Sequence, residues 1–106
     1  MLNVYKPAGI TSFDVIRILR RKLGIKKIGH GGTLDPIAEG VLIILVGKAT
    51  KKSDNLIGLH KSYRAGLLLG VETDSYDVSG KVVKETDAGG ILLEDIEKVI
   101  AGFRGE

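Results

Sequence analysis

The order of apolar and polar positions divides most of this chain into elements. Residues 2–5 read as a short strand, ended by Lys6-Pro7-Ala8-Gly9, a turn with proline and glycine where turns use them. The period then changes. Ile16, Leu19 and Leu23 share one helical face while Arg17, Arg20 and Arg21 share another. Thr11 or Ser12 caps this helix; with Thr11 in that role, Asp14 falls at the capping-box position, and Gly24 is the natural stop. Residues 29–40 follow no period. Directly after them, 41–46 is an unbroken apolar run, which predicts a strand buried on both faces. Gly47 breaks it, and 49–57 predicts a short helix with weak caps. Residues 61–69 predict a further strand with Tyr63, Ala65, Leu67 and Leu69 on one face. A polar loop over 70–80 leads to a strand at 81–85, so the two strands form a long-looped hairpin. Gly89-Gly90 is a turn, and 93–101 predicts a helix, acidic early at Glu94 and Asp95 as its dipole favours. The order β-α-loop-β-α-β-β-α predicts an α+β fold, a mixed and mainly antiparallel sheet with flanking helices.

Composition narrows the class. The chain has 106 residues, 43% of them apolar, enough for one domain with a core and too apolar for disorder. It contains no cysteine, which removes disulfides and thiolate metal sites and fits a reducing, cytoplasmic setting. The first residues lack a cationic start followed by an apolar run, so no signal peptide is indicated. The longest apolar run is far too short to span a membrane. A net charge of +3 is compatible with a nucleic-acid partner but decides nothing alone.

Candidate chemistry concentrates in the glycine-rich stretch at 29–40, where His30 and Asp35 stand among residues that let the backbone turn tightly. Pro36 holds Asp35 out of the helical region, so the carboxylate sits on a backbone with few options. Taken alone, Asp-Pro beside glycines is ordinary turn chemistry. Other motifs fail. Gly47-Lys48-Ala49-Thr50 lacks the earlier glycine of a phosphate-binding P-loop and has alanine where serine or threonine must follow the lysine. His30, Asp35 and His60 have no metal-ligand spacing, so no metal is expected. There is no nucleophile-elbow pattern, and a helix-turn-helix protein is seldom so rich in strands. The cations of the first helix, extended by Lys26 and Lys27, read as a solvated face, with Lys6, Arg17, Arg20, Lys26 and Lys27 as candidates for contacts to a phosphate backbone.

Gly29-His30-Gly31-Gly32-Thr33-Leu34-Asp35-Pro36, with Ala38 and Gly40, closely resembles the aspartate motif of the TruB-type pseudouridine synthases, which isomerise uridine in the T arm of tRNA. The likeness extends along the chain. Lys6-Pro7-Ala8-Gly9-Ile10-Thr11-Ser12 resembles the family's first motif, and Gly47-Lys48-Ala49-Thr50-Lys51 follows the buried strand as it does there. Lys61-Ser62-Tyr63-Arg64 resembles its tyrosine strand, Glu72-Thr73-Asp74-Ser75-Tyr76-Asp77 with Gly80 its acidic loop, and Phe103-Arg104-Gly105 the segment after the next helix. Glu39 is a departure, standing where the family usually carries threonine or another small residue.

The resemblance implies a cytoplasmic enzyme that needs no cofactor and no metal, with the T stem-loop of tRNA as partner and no membrane association. It implies Asp35 as the catalytic residue and places His30, Gly31, Thr33, Tyr63 and Lys6 in the substrate site. Tyr63 would stack on an extruded base, at about 1–3 kcal/mol, and His30 would help hold open the place the base leaves. Attack on sugar or base and removal of a sugar proton all remain open as the role of Asp35. Residues 1–106 are expected to be the N-terminal part of a catalytic domain truncated at its C-terminus, because the family's second tyrosine and its aspartate-pairing arginine have no counterpart here. Two other readings stand beside this one: a non-catalytic RNA-binding fragment, and a guide-RNA-dependent relative, against which the 72–80 loop and the lack of a basic N-terminal extension both argue.

Overall fold

A computed structural model of the chain describes residues 1–105. The architecture is α+β, with three α-helices and two small antiparallel sheets among the described residues, in two units, Met1–Tyr63 and Arg64–Glu106.

In the first unit, β1 (Leu2–Lys6), β2 (Ile28–His30) and β3 (Gly40–Val46) form a sheet in the order β1-β3-β2. The apolar run supplies the central strand, as its composition requires. Its register sets Lys6 opposite Gly40 at one end and Ile28 opposite Val46 at the other. Helix α1 (Ser12–Leu23) starts on the capping box expected from Thr11 and Asp14: the Thr11 hydroxyl accepts from the Asp14 N–H at 3.0 Å, and the Asp14 carboxylate accepts from the Thr11 N–H at 2.8 Å. It stops at Gly24 in the left-handed region. Val15 and Ile16 of α1 pack with Ile28, Leu42 and Ile44 into one core, flanked by Val4, Ile10, Leu19, Leu34 and Val46.

Several expectations need correction. Of the helical face read as Ile16, Leu19 and Leu23, Leu23 is exposed, and Val15 is buried beside Ile16 instead. Residues 29 and 30 belong to β2, because β3 offers a ladder that even glycine can join. The run 41–46 is not buried throughout, since Val41 is exposed. The helix over 49–57 is two pieces, a 3-10 turn at Gly47–Lys52 and then α2 (Ser53–Ile57). The Thr50 hydroxyl donates to the Gly47 carbonyl at 2.8 Å, a local bond that competes with the wider helical one.

The second unit holds a hairpin of β4 (Val71–Thr73) and β5 (Val82–Glu85), then α3 (Leu93–Ala101). Here the expected strand over 61–69 is absent. Those residues alternate as a strand would but are exposed, and among the described residues no strand pairs with them. Alternation makes a strand only where a neighbour completes the hydrogen bonds. The partner of β5 is instead β4, inside the loop expected at 70–80. The shortened loop is held by Asp77, whose carboxylate accepts from the Ser75 hydroxyl at 2.8 Å and from the Ser79 N–H at 2.8 Å. Asp74 closes it by accepting from the Lys81 N–H at 2.9 Å.

Candidate active site

Asp35 lies between strands, at the first position of a tight turn. The Ala38 N–H donates to the Asp35 carbonyl at 3.0 Å, with Pro36 at the corner where its fixed φ suits the turn. The side chain is exposed and, among the described residues, no group pairs with the carboxylate. Its backbone, by contrast, is fastened on both sides. Before it, the Ser12 hydroxyl donates to the Leu34 carbonyl at 3.0 Å and accepts from the Leu34 N–H at 2.9 Å. Ser12 is the first residue of α1 and is buried, so the loop is fixed to the start of a capped helix. After Asp35, the Pro36 carbonyl accepts from the Gly9 N–H at 2.8 Å. Gly9 reaches it with φ +89°, which a side chain would disfavour.

Lys6 completes the grip and departs from its expected role. Its side chain is fully buried, and Nζ donates to the carbonyls of Pro7 at 2.8 Å, Ile10 at 2.7 Å and, more weakly, Pro36 at 3.4 Å. An ammonium has three donors, and all three are engaged. The candidate phosphate contact is here an internal strut that binds the 6–10 turn to the aspartate loop. On the outer face, the Tyr5 hydroxyl donates to the Glu39 carboxylate at 2.7 Å. That bond, with some burial and the charge of Glu39, raises the Tyr5 phenol above its ordinary value, because ionisation would break it and set two anions together.

The remaining site residues fall elsewhere. His30 ends β2, opposite Ile44, with Nδ1 buried and unpartnered. Gly31 follows with its N–H donating to the Ile43 carbonyl at 2.9 Å; a Cβ there would come within 2.9 Å of Leu56, so only glycine lets α2 approach. Thr33 is exposed on the way to Asp35. Tyr63 is exposed in irregular chain, and its hydroxyl makes no hydrogen bond among the described residues.

The fold gathers one group that sequence order scatters. The Gly47 N–H donates to the Lys27 carbonyl at 2.7 Å, bringing Lys26 and Lys27 beside the turn that carries Lys48, Lys51 and Lys52. All five are exposed, and the single ion pair among the described residues joins Arg17 to Asp14 instead. Arg20 is also engaged, donating to the Ile28 carbonyl at 3.1 Å and lying over the Phe13 ring. The five lysines lie at the Val46 end of β3, about 20 Å along the strand from the Gly40 end that carries the Asp35 loop. No group of three or more metal-ligating side chains forms among the described residues. No helix there is long and apolar enough to cross a membrane.

A family model described as TruB family pseudouridylate synthase (N terminal domain) matches residues 20–106. The chain belongs to this family. Among its TruB-family relatives, the tRNA pseudouridine synthase B of Clostridium tetani is 55% identical over 106 residues, covering 100% of this chain and 37% of the relative. That of Aquifex aeolicus is 50% identical over 105 residues, 99% of this chain and 36% of its own. That of Clostridioides difficile is 47% identical over 106 residues, 100% of this chain and 35% of its own. The chain thus spans about a third of the length of the curated relatives it matches. The TruB model covers Asp35 but begins after Lys6, Gly9 and Ser12, the residues that fasten its loop. Sequence reasoning missed Ser12 in this role, because a partner 22 positions away leaves no local signal.

Proposed function

We propose that this chain is the N-terminal part of the catalytic domain of a tRNA pseudouridine synthase, with Asp35 as the catalytic carboxylate and a uridine of the T arm as substrate. One observation carries the reading: a free, exposed carboxylate on a loop whose backbone is fastened immediately before and after it. Such a group is aimed at solvent without being mobile, as a reacting group must be. The relatives are tRNA pseudouridine synthases, which supplies the substrate class, tRNA. The reaction is an isomerisation. The bond from the ribose carbon to N1 breaks, the base turns, a bond to C5 forms, the C5 proton is lost to water, and N1 takes up a proton, so the formula is unchanged. A carboxylate can act as nucleophile or base. The target uridine must leave its stack first, at a few kcal/mol. Exposed Tyr63 is the proposed stacking surface for it, and His30, Gly31 and Thr33 are the proposed substrate-site residues of the segment that leads from β2 into the Asp35 turn. The five gathered lysines suit a phosphate backbone running away from the reacting nucleotide.

The experiment is tritium release from tRNA labelled at uridine C5, with the whole protein that carries this chain and its Asp35→Ala variant. Turnover by the parent and a loss of at least about a thousandfold in the variant is the expected result, the scale of losing an essential group. Asp35→Ala turning over like the parent would remove Asp35 from the chemistry. A second reading, RNA binding without catalysis, is favoured for the 106 residues alone by the third of the relatives' length that they span.

A further inference from the structure

The end of β1 holds the aspartate loop twice. Successive side chains of a strand point to opposite faces. Lys6 is buried and reaches the Pro36 carbonyl from the inner face, while Tyr5 is exposed and reaches Glu39 from the outer one. Pro36 is the second residue of the turn that begins at Asp35, and Glu39 follows directly after its end. The inner contact is part of a network shared with Gly9 and Ser12. The outer one is a single bond from a phenol to a carboxylate, 34 positions apart in sequence. It holds the returning arm of the loop just before Gly40 joins the sheet opposite Lys6.

We propose that Tyr5 and Glu39 form a positioning pair for Asp35. The Tyr5 hydroxyl fixes the returning arm of the loop, and with it the direction of the carboxylate toward the reacting nucleotide. The pair touches neither substrate nor reacting atoms. It acts by limiting the positions open to the turn at 35–38, and it rests on the reading of Asp35 as the catalytic residue. Both side chains are exposed, so their loss leaves the core intact and falls on the geometry of the loop.

Three single variants and one double variant of the whole protein test this. Tyr5→Phe removes only the hydroxyl. Glu39→Ala removes the acceptor. Glu39→Gln keeps a carbonyl oxygen that accepts the same bond. Because misplacement of a reacting group by about 1 Å can cost on the order of a hundredfold, a loosened loop should lower kcat by about tenfold, with KM for tRNA within about twofold. Glu39→Gln should restore kcat to within about twofold of the parent, and Tyr5→Phe/Glu39→Ala should fall no lower than either single variant, as for one shared bond. Unchanged kcat in Tyr5→Phe and Glu39→Ala, or losses that multiply in the double variant, overturn the proposal. Absence of turnover in the parent would count against the reading of Asp35 and not against the pair. Amide exchange at Ala38, whose N–H closes the turn, then decides the matter. Exchange faster by about tenfold in Tyr5→Phe but not in Glu39→Gln supports the pair, on the scale of one lost surface bond. Equal exchange in all forms overturns it.

Discussion

The two units are built on different principles. Met1–Tyr63 has a core: Ile44 and Leu45 are fully buried, Leu42 nearly so, and even a lysine ammonium is enclosed with its donors satisfied. Arg64–Glu106 has no buried residue among those described, and leaves Leu67, Val78, Val82, Val83 and Phe103 open. Its order comes from local bonds, a hairpin whose loop is tied to Asp77 and a helix whose start is tied to Asp95. The lesson is about where a reacting group can be held. A loop fastened to a core keeps a direction that local bonding alone does not give, because local bonds open one by one while a core opens as a whole. Asp35 is on the first kind of support.

Substitutions sharpen this contrast. Leu45→Ala should destabilise the first unit by about 2–5 kcal/mol, the cost of a cavity where nothing can collapse inward. The same truncation at exposed Val82 should change stability by no more than about 0.5 kcal/mol. Denaturant unfolding followed by amide exchange compares them, and equal effects would abolish the distinction. Ser12→Ala comes next. It strips the Leu34 N–H and carbonyl of their partner, which should cost about 1–3 kcal/mol and reduce turnover more than tRNA binding. Equal losses in turnover and binding would mean that Ser12 serves the fold and not the direction of Asp35.

The smallest effect is on acidification. Asp14 in the first unit and Asp77 in the second both titrate below the ordinary value near 3.8. Asp14 is held down by the Thr11 N–H and hydroxyl and by Arg17; Asp77 by the hydroxyls of Ser79 and Ser75 and by the Ser79 N–H. A depressed carboxylate contributes stability above its unfolded value and loses it as pH falls through the folded one. Between neutral pH and about pH 4 neither region should change. Below that, the 74–81 loop should open while α1 frays only at its first turn, because the core still holds the rest of the helix. Amide signals of Ser79 and Lys81 lost before those of Val15 and Ile16 would bear this out, and the reverse order would break the comparison.

What the sequence determined by itself is what local chemistry decides. The box at Thr11 and Asp14, the stop at Gly24, the acidic start of α3, the tight turn at Asp35-Pro36 and the strand at the apolar run could all be read because each depends on a few neighbouring positions. The family resemblance was legible for the same reason, in short motifs. Tertiary structure decided the rest. It withheld a partner strand from 61–69 and gave one to 28–30. It turned Lys6 from a surface cation into a buried strut, set Ser12 against Leu34, and brought Lys27 beside the turn that carries Lys48. Each of these depends on which distant backbone group lies within hydrogen-bonding reach. That is fixed by the packing of α1 against the sheet, and no pattern along the chain encodes it one residue at a time.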